Sequence, residues 1–359
     1  MRILAYEFAI GGGLAGRPVP ESLAREGRAM LTALVADLAR IGRHEIVTTA
    51  DRRFTLHTPR GVDVVTIGVR GAQSFDELVS WADAVWLIAP ETGGCLERLA
   101  RRVERLGKTL LGSTSTAIRR ASDKHRLPGV LAHCGVAHPR TRLLGAGENA
   151  APIAEALGYP IVVKPRRGAG CEGVRLAWNP RELRLAVRAR PQVRLTAEAT
   201  YESVRGVRLQ PDRVLQQYVR GVHASVSLIS DGSRAVALSV NAQAIRAARN
   251  FAYRGGRTPL DHPLAERAID AAMRTCEAFP GLHGYVGVDL VLTSADAVVI
   301  EVNPRLTTAY LGVRSAINRR RGSGNIAEMA IDACAGKLPA RPRIARHVRF
   351  TSAGRVVSL

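Results

Sequence analysis

Lysine is almost missing from this 359-residue chain: among 52 basic residues only Lys108, Lys124, Lys164 and Lys337 carry an ammonium, and the rest are arginine. A net charge of +21 would ordinarily point to a polyanion such as nucleic acid. Aromatic residues, however, make up only 4% of the chain, too few for a base-stacking platform. The arginine bias therefore reads as residue usage, and nucleic acid is not an expected partner. Long-range steering of an acidic or phosphorylated small molecule would use the excess charge equally well. The five cysteines are odd in number and contain no C-x-x-C pair, which argues against a disulfide framework or a zinc site. No apolar run reaches the roughly 18 residues of a membrane span. The opening MRILAYEF lacks the marks of a secretory leader, so the expectation is a cytoplasmic protein without a membrane partner.

What is present is patterned. Short apolar runs alternate with helical spacing through residue 120, the mark of a parallel-sheet α/β domain. Its strands are read in RILAYEF, EIVTTA, VDVVTIG, AVWLIAP and TLLGS, and its first long helix over residues 22–41, with Ser22 as N-cap. Beyond residue 121 the pattern becomes α+β: TRLL, YPIVVKP, GVRLAW, RVLQQYV, ASVSLIS, RAVALSV, GYVGVDLVL and AVVIEVNPRL read as antiparallel strands with few helices between them. ENAAPIAEAL, PRELRLAVRAR and PLAERAIDAAMRTCEAF are read as helices. The expected division is residues 1–120, 121–218 and 219–359. The basic tail KLPARPRIARHVRF is expected to be edge structure.

Two loops match G-x-G-x-x-G. In AIGGGLAG, residues 9–16, the match is followed by RPVPES, and Pro18 and Pro20 delay the next helix to about Ser22. A dinucleotide turn needs its helix at once, so that the N-terminus faces the phosphates. This loop fails that test. The second, GAGCEG from Gly168, lies between two strands, where glycines let backbone N–H groups converge on an anion. Lys164, four residues earlier, would supply a point charge.

GYVGVDLVL and AVVIEVNPRL, joined by TSAD, read as a β-hairpin. Val286, Val288, Leu290 and Leu292 would share one apolar face with Val298, Ile300 and Val302. The opposite face then carries Asp289, Glu301 and Asn303. If 289 pairs with 301, two carboxylates oppose each other, which destabilises a sheet unless a cation lies between them. Two carboxylates and an amide oxygen are hard ligands suited to Mg²⁺ held jointly with phosphates; a solvated polar face is the plainer alternative.

SDKHRL, Lys164 with RRGAGCEGV, QQYVRG, GVDLVL and IEVNPR occur in the order and spacing of an ATP-grasp enzyme, which the chain resembles from residue 1 to 335. The resemblance implies a pre-ATP-grasp α/β domain followed by two lobes whose antiparallel sheets enclose ATP. It places Lys124 and Lys164 on the phosphates, with Gly168, Gly170 and Gly173 as a lid over them. Gln217, Tyr218 and Val219 become the adenine-binding hinge. Gln216 and His223 stand where the family usually has glutamates for adenine and ribose. Asp289, Glu301 and Asn303 become ligands of two Mg²⁺ ions, with Mn²⁺ as a substitute.

APETGG, SVNAQAI and NPRLTTAYLGVRSAIN, with the YEFAIGGG opening, more narrowly resemble the tyramine–glutamate ligase family of methanofuran biosynthesis. Relatives of that family in methylotrophs imply methylofuran, with tyrosine in place of tyramine. The reaction so implied is ATP-dependent amide formation through an acyl phosphate, with amino-acid or amine substrates as partners and a homodimer left open. Lys164 and Arg305 are the catalytic candidates, a structural salt bridge being the alternative for Arg305. Glu7 and Gly12 beside the first strand's end, Glu91, and Arg246 and Arg254 in a flexible cover AIRAARNFAYRGGRTPL are the substrate candidates. A glutamate-chain-extending or other amino-acid ligase, and a nucleotide-dependent RNA-binding module, are the rival readings.

Overall fold

The computed structural model describes residues 1–68, 73–189, 212–317 and 324–359. Three sheets follow one another along the chain. The first is built from β1 (Arg2–Glu7), α1 (Glu21–Ile41), β2 (Glu45–Asp51), β3 (Val62–Ile67), α2 (Phe75–Trp81), β4 (Ala84–Ile88), α3 (Cys95–Arg105) and β5 (Thr109–Leu110). Its strands lie parallel in the order β3-β2-β1-β4-β5. The near-continuous apolar runs of β1 and β4 are buried throughout, as a sheet covered on both faces requires.

Two short helices, α4 (Ser115–Ala121) and α5 (Leu127–His133), lead into the second unit. There β6 (Thr141–Leu144), α6 (Ala150–Leu157), β7 (Ile161–Pro165), β8 (Arg175–Ala177), α7 (Pro180–Arg188) and β9 (Arg213–Gln217) give a four-stranded antiparallel sheet, β6-β9-β7-β8. The last residue of the PRELRLAVRAR helix, Arg190, lies outside the described residues.

The third unit adds β10 (Val222–Asp231), β11 (Ala235–Ala247), β12 (Phe251–Thr258), α8 (Ala265–Glu277), β13 (His283–Leu292), β14 (Ala297–Asn303), α9 (Ala309–Ala316), α10 (Ile326–Cys334), β15 (Val348–Thr351) and β16 (Val356–Ser358). Its seven strands run β14-β13-β10-β11-β12-β15-β16; of the basic tail, residues 348–350 enter the sheet, in β15 next to the edge strand β16, so the tail is not itself the edge. One clamp ties the first unit to the third. Buried Asp37 of α1 accepts from the Tyr310 hydroxyl at 2.7 Å and from both Nε and Nη2 of Arg314, at 2.7 and 2.6 Å, on α9.

Three local readings of the sequence are corrected. Ser22 is not the N-cap: the helix starts at Glu21 after Pro20, with no capping side chain. Pro20 itself stands at the cap position with extended backbone, and the acidic first turn at Glu21 favours the start electrostatically. The segment 244–260 is no loose cover but the end of β11 and all of β12, paired Ile245↔Tyr253 and Arg246↔Ala252. Its paired glycines mislead because they are strand residues: a Cβ on Gly255 would stand 2.1 Å from the Phe350 carbonyl oxygen of β15. On β14, a bulge after the Asp289↔Glu301 pair moves Val299, not Val298 or Ile300, into the core.

Candidate active site

The β13–β14 hairpin pairs Asp289 directly with Glu301, the register the sequence pattern requires for two facing carboxylates. Asn303 Nδ2 donates to Asp289 Oδ2 at 3.1 Å, and Gln243 Nε2 on β11 donates to Asp289 Oδ1 at 2.8 Å. Burial and the facing Glu301 charge push Asp289 well above the ordinary carboxylate range. Glu301 is half-buried, yet the charges of Lys124 and Lys164 hold it below its ordinary value. A cation between the two would relieve the same repulsion. Two carboxylates with an amide beside them offer hard, largely anionic oxygen ligands, which fits Mg²⁺. Among the described residues no group of three or more His, Cys, Asp or Glu side chains comes together, so this carboxylate pair with its amide is the set to consider.

Both selected lysines reach this hairpin from the other side of a cleft. Lys124, in the turn before α5, lies 3.3 Å from Glu301 Oε2 and donates to the Gly168 carbonyl at 2.8 Å. Lys164 stands on β7 and is 3% exposed; burial drives its ammonium down to about 8 although Glu301 pulls the other way. Arg166 fixes the turn by a bidentate bond to buried Asp123, Nε at 2.8 Å and Nη2 at 2.7 Å.

The cleft spans about 810 Å³, its solvent-open mouth included. Gly168 and Ala169 roof it, and Gln217, Tyr218 and Val219 line the strand-to-strand hinge between β9 and β10. Val162, Leu290 and Ile300 give it apolar walls suited to a flat heterocycle. Gln216 and His223 both face it. The Gln216 amide is already committed to Thr141 Oγ1 at 2.9 Å, and burial pushes His223 below its ordinary pKa, keeping it neutral. Gly170 and Gly173, both in left-handed backbone, face away from the cleft and line a neighbouring cavity.

The glycine loop is also stitched to the large sheet. Leu176 N donates to Arg249 O at 3.2 Å, Phe251 N donates to Val174 O at 3.3 Å, and Arg175 Nη1 donates to Asn250 Oδ1 at 2.9 Å. The two lobes thus meet across the mouth of the cleft.

The remaining sequence-selected residues divide. Arg305 and Glu91 come together: Arg305 Nη2 donates to Glu91 Oε2 at 2.9 Å with both side chains largely buried. The Arg305 Nε, the second Glu91 oxygen and the Thr92 hydroxyl are buried without a partner. Glu7 is buried nearby, and burial lifts its carboxyl to about 7 although the Ile10 N–H supports the charge at 2.8 Å. The glycines behind it are explained by the protein's own packing. A Cβ on Gly11 would meet the Glu7 carbonyl at 2.2 Å, and one on Gly12, φ +105°, the Ile67 side chain at 2.5 Å. Arg246 and Arg254 are exposed on the β11–β12 hairpin.

Sequence reasoning missed Gln243 and Thr92. Gln243 was legible in principle, because Ser239, Asn241 and Gln243 alternate on one strand as polar residues. Thr92 follows Glu91 within APETGG, but nothing in that segment marks its hydroxyl; the approach of the glycine loop at Gly168 brings it to the site.

Comparison with known proteins agrees with this geometry. Residues 121–309 match the ATP-grasp domain model and residues 44–118 match the pre ATP-grasp 3 domain model. The chain belongs to the ATP-grasp family. Over 102 residues it is 35% identical to the tyramine–L-glutamate ligase of Methanocaldococcus jannaschii, an alignment covering 28% of this chain and 32% of that protein. Over 228 residues it is 28% identical to the carbamoyl phosphate synthase large chain of Rubrobacter xylanophilus, covering 61% of this chain and 20% of that one. The chain thus matches less than two thirds of either relative's length. A crystal structure of an ATP-grasp superfamily protein from Archaeoglobus fulgidus superposes with a TM-score of 0.68 at 26% identity, covering 97% of this chain and 92% of the other. No helix among the described residues is long and apolar enough to cross a membrane.

Proposed function

We propose that this protein is an ADP-forming carboxylate–amine ligase that activates a carboxylate as an acyl phosphate and passes it to an amine. The observation that carries this reading is the convergence of Lys124, Lys164, the Gly168 loop and the Asp289–Glu301 pair on one cleft beneath an adenine-sized hinge. Lys124 and Lys164 would bind phosphate oxygens. Asp289, Glu301 and Asn303 would hold Mg²⁺, as two ions, with Mn²⁺ able to substitute. The metal, when bound, supplies charge neutralisation at the phosphates. Phosphoryl transfer demands little proton chemistry from side chains, so positioning and positive charge dominate.

The carboxylate substrate would lie beside Arg305. Its unpartnered Nε, with Thr92 at the glycine loop, offers donors toward the place where the terminal phosphate would stand. The carboxylate oxygen attacks that phosphorus and ADP leaves. The amine nitrogen then bonds to the acyl carbon, the C–O bond to phosphate breaks, and the amine proton is lost to solvent.

The likeness to tyramine–L-glutamate ligases favours glutamate as the acid and tyramine or tyrosine as the amine, in methanofuran- or methylofuran-type cofactor synthesis. ADP release that requires a carboxylate and an amine together, with the product's mass determined, tests this reading.

A further inference from the structure

Behind the glycine loop lies a second, solvent-open cavity that spans about 1200 Å³ with its mouth included. Cys171, Glu172, Val174 and Phe251 line both it and the nucleotide cleft, so the loop and one aromatic ring are the common wall. The far side is α1, through Ser22, Arg25 and Glu26, together with the turn Ser352–Ala353 between β15 and β16. Phe251 and Tyr253 of β12 form the side.

Charge in this cavity is unevenly committed. Arg25 is paired with Glu21 at 3.0 Å and Arg175 with Asn250 at 2.9 Å, so two of its cations already have partners. Glu26, half-buried, has one oxygen held by the Thr308 hydroxyl at the head of α9. It shares the cavity wall with Cys171 of the loop and Tyr253, and its negative charge favours the protonated Arg305 guanidinium. A cavity whose lining holds one carboxylate together with two aromatic side chains is suited to an organic ammonium group.

We propose that this cavity is the binding site for the amine substrate, with Glu26 receiving the ammonium group and Phe251 and Tyr253 holding the body attached to it. The proposal rests on the ligase reading above and deepens it: the amine waits on one side of the glycine loop while the phosphates lie on the other. None of the substrate residues selected from sequence lines this cavity, since Glu26 shows only the spacing of an ordinary amphipathic helix.

The test uses the full chain with ATP, Mg²⁺ and L-glutamate, following ADP release against tyramine concentration. Glu26→Gln keeps shape and removes charge; it is expected to raise the KM for tyramine about tenfold or more while the KM for ATP stays within about twofold. Ala353→Trp, in an exposed turn, is expected to obstruct the cavity and raise the tyramine KM in the same way. An unchanged ATP KM shows that both variants fold. The proposal is overturned if tyramine KM is unchanged in both variants, or if the glutamate KM moves instead. Should the wild type show no amine-dependent ADP release, the ligase reading fails by itself. Calorimetric titration of tyramine into wild type and Glu26→Gln then decides the cavity separately: binding weakened by the substitution supports it, and no binding overturns it.

Discussion

The Lys124 ammonium lies 3.3 Å from the Glu301 carboxylate and 2.8 Å from the Gly168 carbonyl, so one lysine links the carboxylate hairpin to the loop across the cleft. Without ligand it neutralises part of the charge that Asp289 and Glu301 concentrate there. With nucleotide bound, the same ammonium would turn toward phosphate. Lys124→Met is expected to raise the KM for ATP about tenfold or more, with a smaller loss in kcat; steady-state ADP release at varied ATP checks this.

Asp289→Asn and Glu301→Gln each remove one of two facing charges. Turnover is expected to be lost in both; Tm is expected unchanged or higher in Asp289→Asn, where the repulsion across the β13–β14 pair is relieved, and lower in Glu301→Gln, which leaves Lys124 and Lys164 without their carboxylate. Thermal unfolding beside the activity assay separates this outcome from a loss of fold.

Lys164 binds phosphate only as the ammonium, and burial sets its proton loss near 8. As pH rises through that value the charge disappears, so kcat/KM for ATP is expected to fall on an alkaline limb centred near 8. In Lys164→Arg that limb should vanish, whatever the change in absolute rate, since a guanidinium stays protonated. A pH profile of both proteins decides it.

Arg305 and Glu91 form a largely buried pair at 2.9 Å. Arg305→Met alone would strand the Glu91 carboxylate and is expected to cost about 3–5 kcal/mol in urea unfolding. Arg305→Met combined with Glu91→Gln should cost less than the sum of the single changes. Additive losses would place the two residues in independent roles.

Glu7 carries a carboxyl raised to about 7 by burial, with an ordinary value of 4.5 in the unfolded chain. Between those values the folded protein binds the proton more tightly, so stability is present below 4.5 and is lost as pH rises through 7. Glu7→Gln is therefore expected to stabilise the protein at pH 8 by up to about 3 kcal/mol and to change little at pH 4. Denaturant midpoints at the two pH values measure it.

The sequence announced the site more clearly than its surroundings. Alternation along β13 and β14 placed Asp289 opposite Glu301, because a two-residue period leaves little freedom once one face is apolar. The bulge beside that pair was not legible: an extra residue shows only in three dimensions, and it exchanged Val299 for Val298 and Ile300 in the core. Lysine scarcity marked Lys124 and Lys164, and both reach the cleft. The helical pattern of α1 was readable, but its start was assigned to a serine where a proline and an acidic first turn suffice. Strand β12 escaped notice because its Arg-Gly-Gly run is what a loop looks like until β15 packs against those glycines. Gln243 and Thr92 lie inside the quoted segments SVNAQAI and APETGG but carry no ligand chemistry that singles them out there, and Glu26 sits on an ordinary helical face far in sequence from the loop it meets.

The most direct test of the central claim is ADP release by the purified protein with ATP, Mg²⁺ and L-glutamate, screened against tyramine, tyrosine and a panel of amines, with product mass determined. ADP formed in step with an amide whose mass is the sum of acid and amine less one water is the predicted result. Absence of stimulation by every carboxylate and amine pair, with salt-sensitive RNA binding in its place, would contradict it.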